Sequence, residues 1–148
     1  MSSYWVRPAR PADLKAVREL ARRVSREYRL TVRSAPAADG AGTADHLWVV
    51  EAGRGEIVGS CGAREGAGGM WELHSLFLAP QWRGFGLGRA LVEQAIRCAG
   101  DEGAVALACL VPAAMPEAAM LLRRLGFALQ GAEDSGHEGF VKSLRPIS

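Results

Sequence analysis

Lysine is nearly missing from this chain. Of its 18 basic residues only Lys15 and Lys142 are lysines; the rest are arginines. An excess of one charge is missing too: 16 acidic residues leave a formal net charge of +2. That is too small to make nucleic acid the main partner. Cysteine is sparse, at 3 residues. Cys61, Cys98 and Cys109 lie far apart, with no CxxC and no metal-ligand spacing, so neither a disulfide framework nor a metal site is expected. Reduced, buried thiols suit them better. No apolar run approaches the roughly 18 residues of a membrane span. The opening Met-Ser-Ser-Tyr-Trp-Val-Arg-Pro has no apolar stretch of signal-peptide length. The expectation is a soluble, cytoplasmic protein with no membrane partner.

What is present is a chain of 148 residues, 49% hydrophobic and 23% charged. This suits one domain, 1–148, able to bury a core without staples. Tyr4 to Arg7 reads as a strand ended by Pro8. A helix follows from about Pro11, with Leu14, Val17, Leu20, Ala21 and Val24 on its apolar face. Its arginines Arg18, Arg22, Arg23 and Arg26 read as a solvated face. Arg29 to Asp45 is rich in small residues and Pro and reads as a long loop. His46–Ala52, Glu56–Ala63 and Trp71–Leu78 read as a three-strand meander, with turns at Gly53-Arg54-Gly55 and Gly66–Gly69. Gly86–Ala99 has the broad apolar face of a helix packed on a sheet. Val105–Val111 reads as a strand buried on both faces. Pro116 opens a last helix with Ala118, Leu121, Leu122 and Leu125 on one stripe, and Gly126 closes it. Phe127–Gly131 and Gly139–Leu144 read as a final strand pair. The implied fold is α/β: a mixed, mostly antiparallel sheet with helices on both faces. Its one parallel crossover is Trp71–Val111, right-handed by rule.

Chemistry concentrates where the third meander strand meets its helix, in Leu76-Phe-Leu-Ala-Pro-Gln-Trp-Arg-Gly-Phe-Gly-Leu-Gly-Arg-Ala90. Gly84, Gly86 and Gly88 let the backbone turn sharply and approach a ligand. The first N–H groups of the helix, with the positive end of its dipole, then make an anion site suited to phosphate or pyrophosphate. Arg83 and Arg89 could add charge-assisted bonds. A Walker loop needs GxxxxGK[ST], which is absent. A dinucleotide fingerprint needs GxGxxG and an acidic residue about 20 residues on. Here the spacing is GxGxG, and the next strand ends in Cys109-Leu110-Val111.

The run Arg83-Gly-Phe-Gly-Leu-Gly88 resembles the [Q/R]xxGx[G/A] motif of the GNAT N-acetyltransferases. The likeness extends to Val6-Arg-Pro-Ala9, Glu72-Leu-His-Ser-Leu-Phe-Leu-Ala-Pro80 and Leu125-Gly-Phe127, and so to essentially the whole chain. It implies a splayed parallel strand pair with coenzyme A in the gap. Arg83, Gly84, Phe85, Gly86, Leu87, Gly88 and Arg89 would hold the pyrophosphate. Leu76, Phe77 and Leu78 would lend main-chain bonds to the pantetheine arm, as in strand addition. The implied reaction is direct attack of an amine, on a small molecule or peptide, upon the acetyl-CoA carbonyl, with no metal. It needs proximity, oxyanion stabilisation and proton traffic. A main-chain N–H near Leu76 or Phe77 would serve the oxyanion. Glu72 is the expected base, directly or through a water, and His74 the second candidate. Period-2 alternation puts Glu72, His74 and Leu76 on one face, with Leu73, Ser75 and Phe77 on the other.

Two positions depart from the family pattern. The Tyr that usually protonates the leaving thiolate is Leu122 here, and a common Asn is Met115. The thiolate then leaves to solvent, or Cys109 or Tyr28 stands in, or catalysis is weak or lost. Cys109 has no paired base in sequence to make it a nucleophile. His46 and His137 read as packing or surface residues, and Trp48, Trp71 and Trp82 as core or cleft wall. Glu133, Asp134 and Glu138 read as a solvated acidic turn that would also attract a cationic amine. The alternative to an enzyme is a non-catalytic acyl-CoA-binding or sensing module. The family often dimerises, which admits a homodimer; nothing in the sequence decides it.

Overall fold

The computed structural model describes residues 3–28, 44–133 and 136–145. Ten regular elements run along them. They are β1 (Tyr4–Pro8), α1 (Leu14–Glu27), β2 (Asp45–Ala52), β3 (Glu56–Glu65), β4 (Met70–Leu78), α2 (Leu87–Asp101), β5 (Ala106–Pro112), α3 (Pro116–Arg124), β6 (Ala128–Glu133) and β7 (His137–Ser143). Most of the loop expected over 29–45 lies outside the described residues; only Ala44 and Asp45 appear, the latter as the first residue of β2.

The strands form one sheet in the order β1-β2-β3-β4-β5-β7-β6. Every neighbouring pair is antiparallel except β4 and β5, which are parallel. Val49 and Val50 show how the faces are covered, because successive strand residues point opposite ways. Val49 packs with Val17 of α1. Val50 packs beside Gly59 and Leu91 of α2, where a methyl group on Gly59 would press on both side chains. So α1 covers one face and α2 the other. α3 lies on the α2 side, with Leu121 against Gly88 and Arg123 over the Phe140 ring. Trp71, Leu73, Leu91, Leu107, Leu122 and Phe140 are the large, fully buried side chains of this core.

Three local expectations change. In α1 the buried residues are Val17, Leu20, Val24 and Ser25, while Leu14 is exposed. The apolar stripe is rotated toward the C-terminal half because a 3₁₀ turn, Pro11–Asp13, precedes the helix. β5 is not buried on both faces. Leu107, Cys109 and Val111 are buried, but Leu110 is 51% exposed, since both later helices lie on the other face. Third, β4 does not alternate regularly. Its register with β3 runs Leu73↔Ala63, His74↔Gly62, then Phe77↔Ser60, with an irregularity between. Paired strand residues share a face, so Phe77, not Leu76, follows Glu72 and His74 on the α1 face. The extra residue is a β-bulge, and at it Ser75 has φ +54°.

β1 is tied to the start of α1 by charge. Arg7 donates to both carboxylate oxygens of Asp13 at 2.8 and 3.0 Å, and to Glu51 at 2.8 Å. Asp13 also accepts the Arg10 N–H at 2.7 Å. Arg7, more than burial or the Arg10 amide, sets the balance and pulls the Asp13 carboxyl down to about 2. A carboxyl depressed on folding stabilises above its unfolded pKa and stops doing so as pH falls through its folded one. This contribution, about 2 kcal/mol, is therefore complete above roughly pH 4 and lost toward pH 2. Urea melts should show Asp13→Asn less stable by about that amount at pH 7, and closer to wild type at pH 3. An equal deficit at both pH values would contradict this.

Candidate active site at the parting of two parallel strands

The parallel ladder between β4 and β5 is short. Met70, Trp71 and Glu72 pair with Ala106, Leu107 and Ala108, and the pairing stops there. Beyond Glu72 the β5-facing edge of β4 has no strand partner. Unpaired main-chain groups are strong hydrogen-bonding groups that need a ligand or water. Leu76, Phe77 and Leu78 lie along this edge, each half-buried.

The glycine turn sits at the end of the same edge. Gly84 and Gly86 have φ +87° and +78°, a left-handed backbone that costs any residue with a Cβ about 1–2 kcal/mol. A methyl group on either would meet nothing within 4 Å, so conformation, not crowding, calls for glycine. Gly86 caps α2 with no side-chain hydrogen bond to the first-turn amides, which leaves them for an anion. Gly88 differs: a methyl group there would come within 3.1 Å of Leu121, so it serves the contact of α2 with α3. Leu87 is buried, whereas Phe85 is 60% exposed.

The two arginines flanking the turn face elsewhere. Arg83 donates to both carboxylate oxygens of Glu27, to the Tyr28 hydroxyl at 3.2 Å, and to the Leu78 carbonyl at 2.9 and 3.1 Å. It fastens the end of α1 to the turn. Arg89 pairs with Glu93 one turn along, at 2.7 Å and largely in solvent. Glu27 was not among the residues singled out from sequence; nothing in its spacing to Arg83 marks it.

On the α1 face, Glu72 is exposed and stands opposite Arg64 in register. It borders a concavity of about 480 Å³ with Met70, Ala108, Leu110 and Gly139. His74 shares the face and is not free. Its Nε2 lies 2.9 Å from Asp45 Oδ1 and its Nδ1 2.9 Å from Ser75 Oγ. Neither Asp45 nor Ser75 was anticipated. Their meeting depends on β2 pairing with β3 and on the bulge in β4.

The residues weighed as stand-ins for the usual acid are placed as follows. Leu122 is fully buried in the core. The Tyr28 hydroxyl accepts from Arg83 and reaches Glu117, at the start of α3, at 3.5 Å; burial, ahead of the neighbouring charges, raises its pKa. Burial, with the Glu72 charge behind it, pushes the Cys109 thiol up to about 12. His46 stacks on Trp48 and Trp71 and lies 3.2 Å from Glu102. Trp48 and Trp71 are buried and Trp82 half-buried. Glu138 and His137 are half-buried on β7, and Asp134 lies outside the described residues, as does the Glu133 side chain. Sequence spacing shows no metal set, yet the fold brings donor atoms of His46, Cys98 and Glu102 within 4.8 Å of one another.

A mixed sheet with one short parallel pair, followed by a glycine-turned helix start, defines an α/β domain. Residues 43–129 match the acetyltransferase (GNAT) domain model, and the chain belongs to the GNAT acetyltransferase family. A search of curated proteins finds no sequence match. Solved structures share the fold. A GNAT-family acetyltransferase from Staphylococcus aureus superposes with TM-score 0.84 at 13% identity, covering 97% of this chain and 100% of that one. A phosphinothricin acetyltransferase from Sinorhizobium meliloti, in complex with AcCoA, gives 0.78 at 23% identity, covering 95% and 88%. The PaiA N-acetyltransferase from Thermoplasma acidophilum, in complex with coenzyme A, gives 0.78 at 14%, covering 95% and 99%.

Burial sets the reactivity of the thiols. Cys61 and Cys109 are buried, while Cys98 is partly exposed. A thiol held near 12 stays protonated and inert at pH 8. Iodoacetamide at pH 8 should label Cys98 in the folded protein, and Cys61 and Cys109 only after denaturation, as read by mass spectrometry. Labelling of folded Cys109 would contradict the assignment.

Proposed function

We propose that this protein transfers an acetyl group from acetyl-CoA to an amine of a small molecule or peptide by direct attack. The observation that carries this is the succession of three features along β4 and the turn that follows it. They are the end of the β4–β5 ladder, the uncapped start of α2 behind Gly84 and Gly86, and a carboxylate, Glu72, on the open face. The structural neighbours in complex with AcCoA and coenzyme A support the same cofactor here.

The amides of Gly86, Leu87, Gly88 and Arg89 would hold the pyrophosphate, with the helix dipole behind them. With Arg83 engaged by Glu27, the backbone carries this contact. Phe85 would border the cofactor, and the free edge at Leu76, Phe77 and Leu78 would take the pantetheine arm. A main-chain N–H at Leu76 or Phe77 would meet the oxyanion. An amine reaches the site as an ammonium ion. Glu72, through a water, would strip its first proton, and His74 is the second candidate for that role. No helix among the described residues is long and apolar enough to cross a membrane, in keeping with a cytoplasmic enzyme. A homodimer is compatible with the family.

A second reading is a non-catalytic acyl-CoA-binding or sensing module. It is favoured by the burial of Leu122 where relatives carry a phenolic acid. Thiol release from acetyl-CoA across a panel of amines separates the two. Acyl transfer predicts turnover that Glu72→Gln lowers by about 10²-fold with CoA binding intact. The binding module predicts thermal stabilisation by CoA and no turnover with any amine. In both, Gly86→Val should abolish stabilisation by CoA, because φ +78° is closed to a β-branched residue. Retained stabilisation would place CoA elsewhere.

A further inference from the structure

We propose that Asp45, His74 and Ser75 form a proton relay carrying a proton from the attacking amine to the departing thiolate; this rests on the acyl-transfer reading above.

The geometry sets the direction of each bond. The Asp45 carboxylate, 2.9 Å from His74 Nε2, accepts, so that nitrogen carries the proton. Nδ1 is then bare and accepts the Ser75 hydroxyl at 2.9 Å. The ring has little room to turn. It lies across Gly62, where even a Cβ would collide with it, and the side chain is 13% exposed. Ser75 is the only non-glycine residue with positive φ among the described residues. Its carbonyl is fixed by the Ser60 hydroxyl at 2.7 Å. Strain of this kind persists where the surrounding structure over-determines it, and it clusters at functional sites. On a regular strand Ser75 would point away from His74. The bulge turns it back beside the ring, three residues beyond the last β4–β5 pair.

The step balances within these groups. The amine lone pair attacks the thioester carbon, a C–N bond forms and the carbonyl becomes an oxyanion. The proton now in excess on nitrogen passes to Ser75 Oγ as the serine's own proton moves to His74 Nδ1. The resulting imidazolium faces the Asp45 carboxylate. When the oxyanion collapses the C–S bond breaks, and the proton returns through Ser75 to the thiolate sulfur. Ser75 is not acylated, and nothing is oxidised or reduced. One relay thus does the work of the acid that Leu122 cannot supply. Ser75 would touch the reacting atoms, whereas Asp45 is a positioning residue.

The test uses the full chain, acetyl-CoA and whichever amine of the panel is acylated. Ser75→Gly removes the hydroxyl and keeps the backbone conformation. It should lower kcat by about 10²-fold while KM for acetyl-CoA stays within about 2-fold. Nitrogen-15 NMR of histidine, assigned with His74→Gln, should show wild-type His74 protonated on Nε2. Asp45→Asn should shift His74 off that tautomer and lower kcat, a spectroscopic change that a merely structural role would not produce. Wild-type kcat in Ser75→Gly, or a neutral His74 protonated on Nδ1 in the unaltered chain, would overturn the relay and leave acyl transfer standing. The tautomer decides even where Ser75→Gly folds poorly. An absence of turnover with every amine would remove the acyl-transfer reading and the relay with it.

Discussion

The constraint on which this structure depends is the failure of β4 and β5 to stay paired. Three residues of each strand form a parallel ladder, and then the sheet opens. Main-chain groups buried without partners are costly, so an opening of this kind persists when something else can satisfy it. Further along the chain, the first amides of α2 receive no side-chain cap from Gly86. The glycine turn at Gly84 and Gly86 joins the strand edge to the helix start.

The surrounding structure holds that opening in place. Trp71 and Leu107, paired one rung before the last, are buried in the core. They keep the strands together up to the point of parting. Past it, Arg83 clamps the turn to Glu27 and Tyr28 at the end of α1. Tyr28 reaches on to Glu117 at the start of α3, so one tyrosine links the segment after β4 to the helix after β5. At its other end α1 is anchored by Arg7 and Asp13. Arg83, which sequence reading assigns to the cofactor, is instead a fastening of the helix beside the opening.

A single inserted residue reorganises the chemistry. Without the bulge, β4 would present Glu72, His74 and Leu76 to one side. With it, Phe77 takes the third place and Ser75 swings beside His74. Strict alternation is a sound rule for a strand paired along its whole length. It fails where pairing changes, and here the change lies at the proposed reaction centre. The bulge leaves no mark in composition: Leu73-His-Ser-Leu-Phe77 contains neither glycine nor proline.

Local signals in the sequence sufficed for the order of elements, the one parallel crossover and the glycine turn before α2. Each depends on neighbours in the chain. Apolar spacing shows helix or strand, glycine spacing shows a left-handed turn, and strand–helix–strand order implies a parallel pair. Gly84 and Gly86 declare their backbone conformation from sequence because few other residues tolerate it. The tertiary structure alone decided what depends on contacts between distant segments. It brought Asp45 to His74 across β3, turned Arg83 to Glu27, left Leu110 uncovered and broke the alternation of β4. Such partners are chosen by register and by which helix covers which face, and a charged or polar side chain has no signature for either. The sequence by itself determined a left-handed glycine turn between β4 and α2; only the folded sheet determined which side chains stand beside the opening.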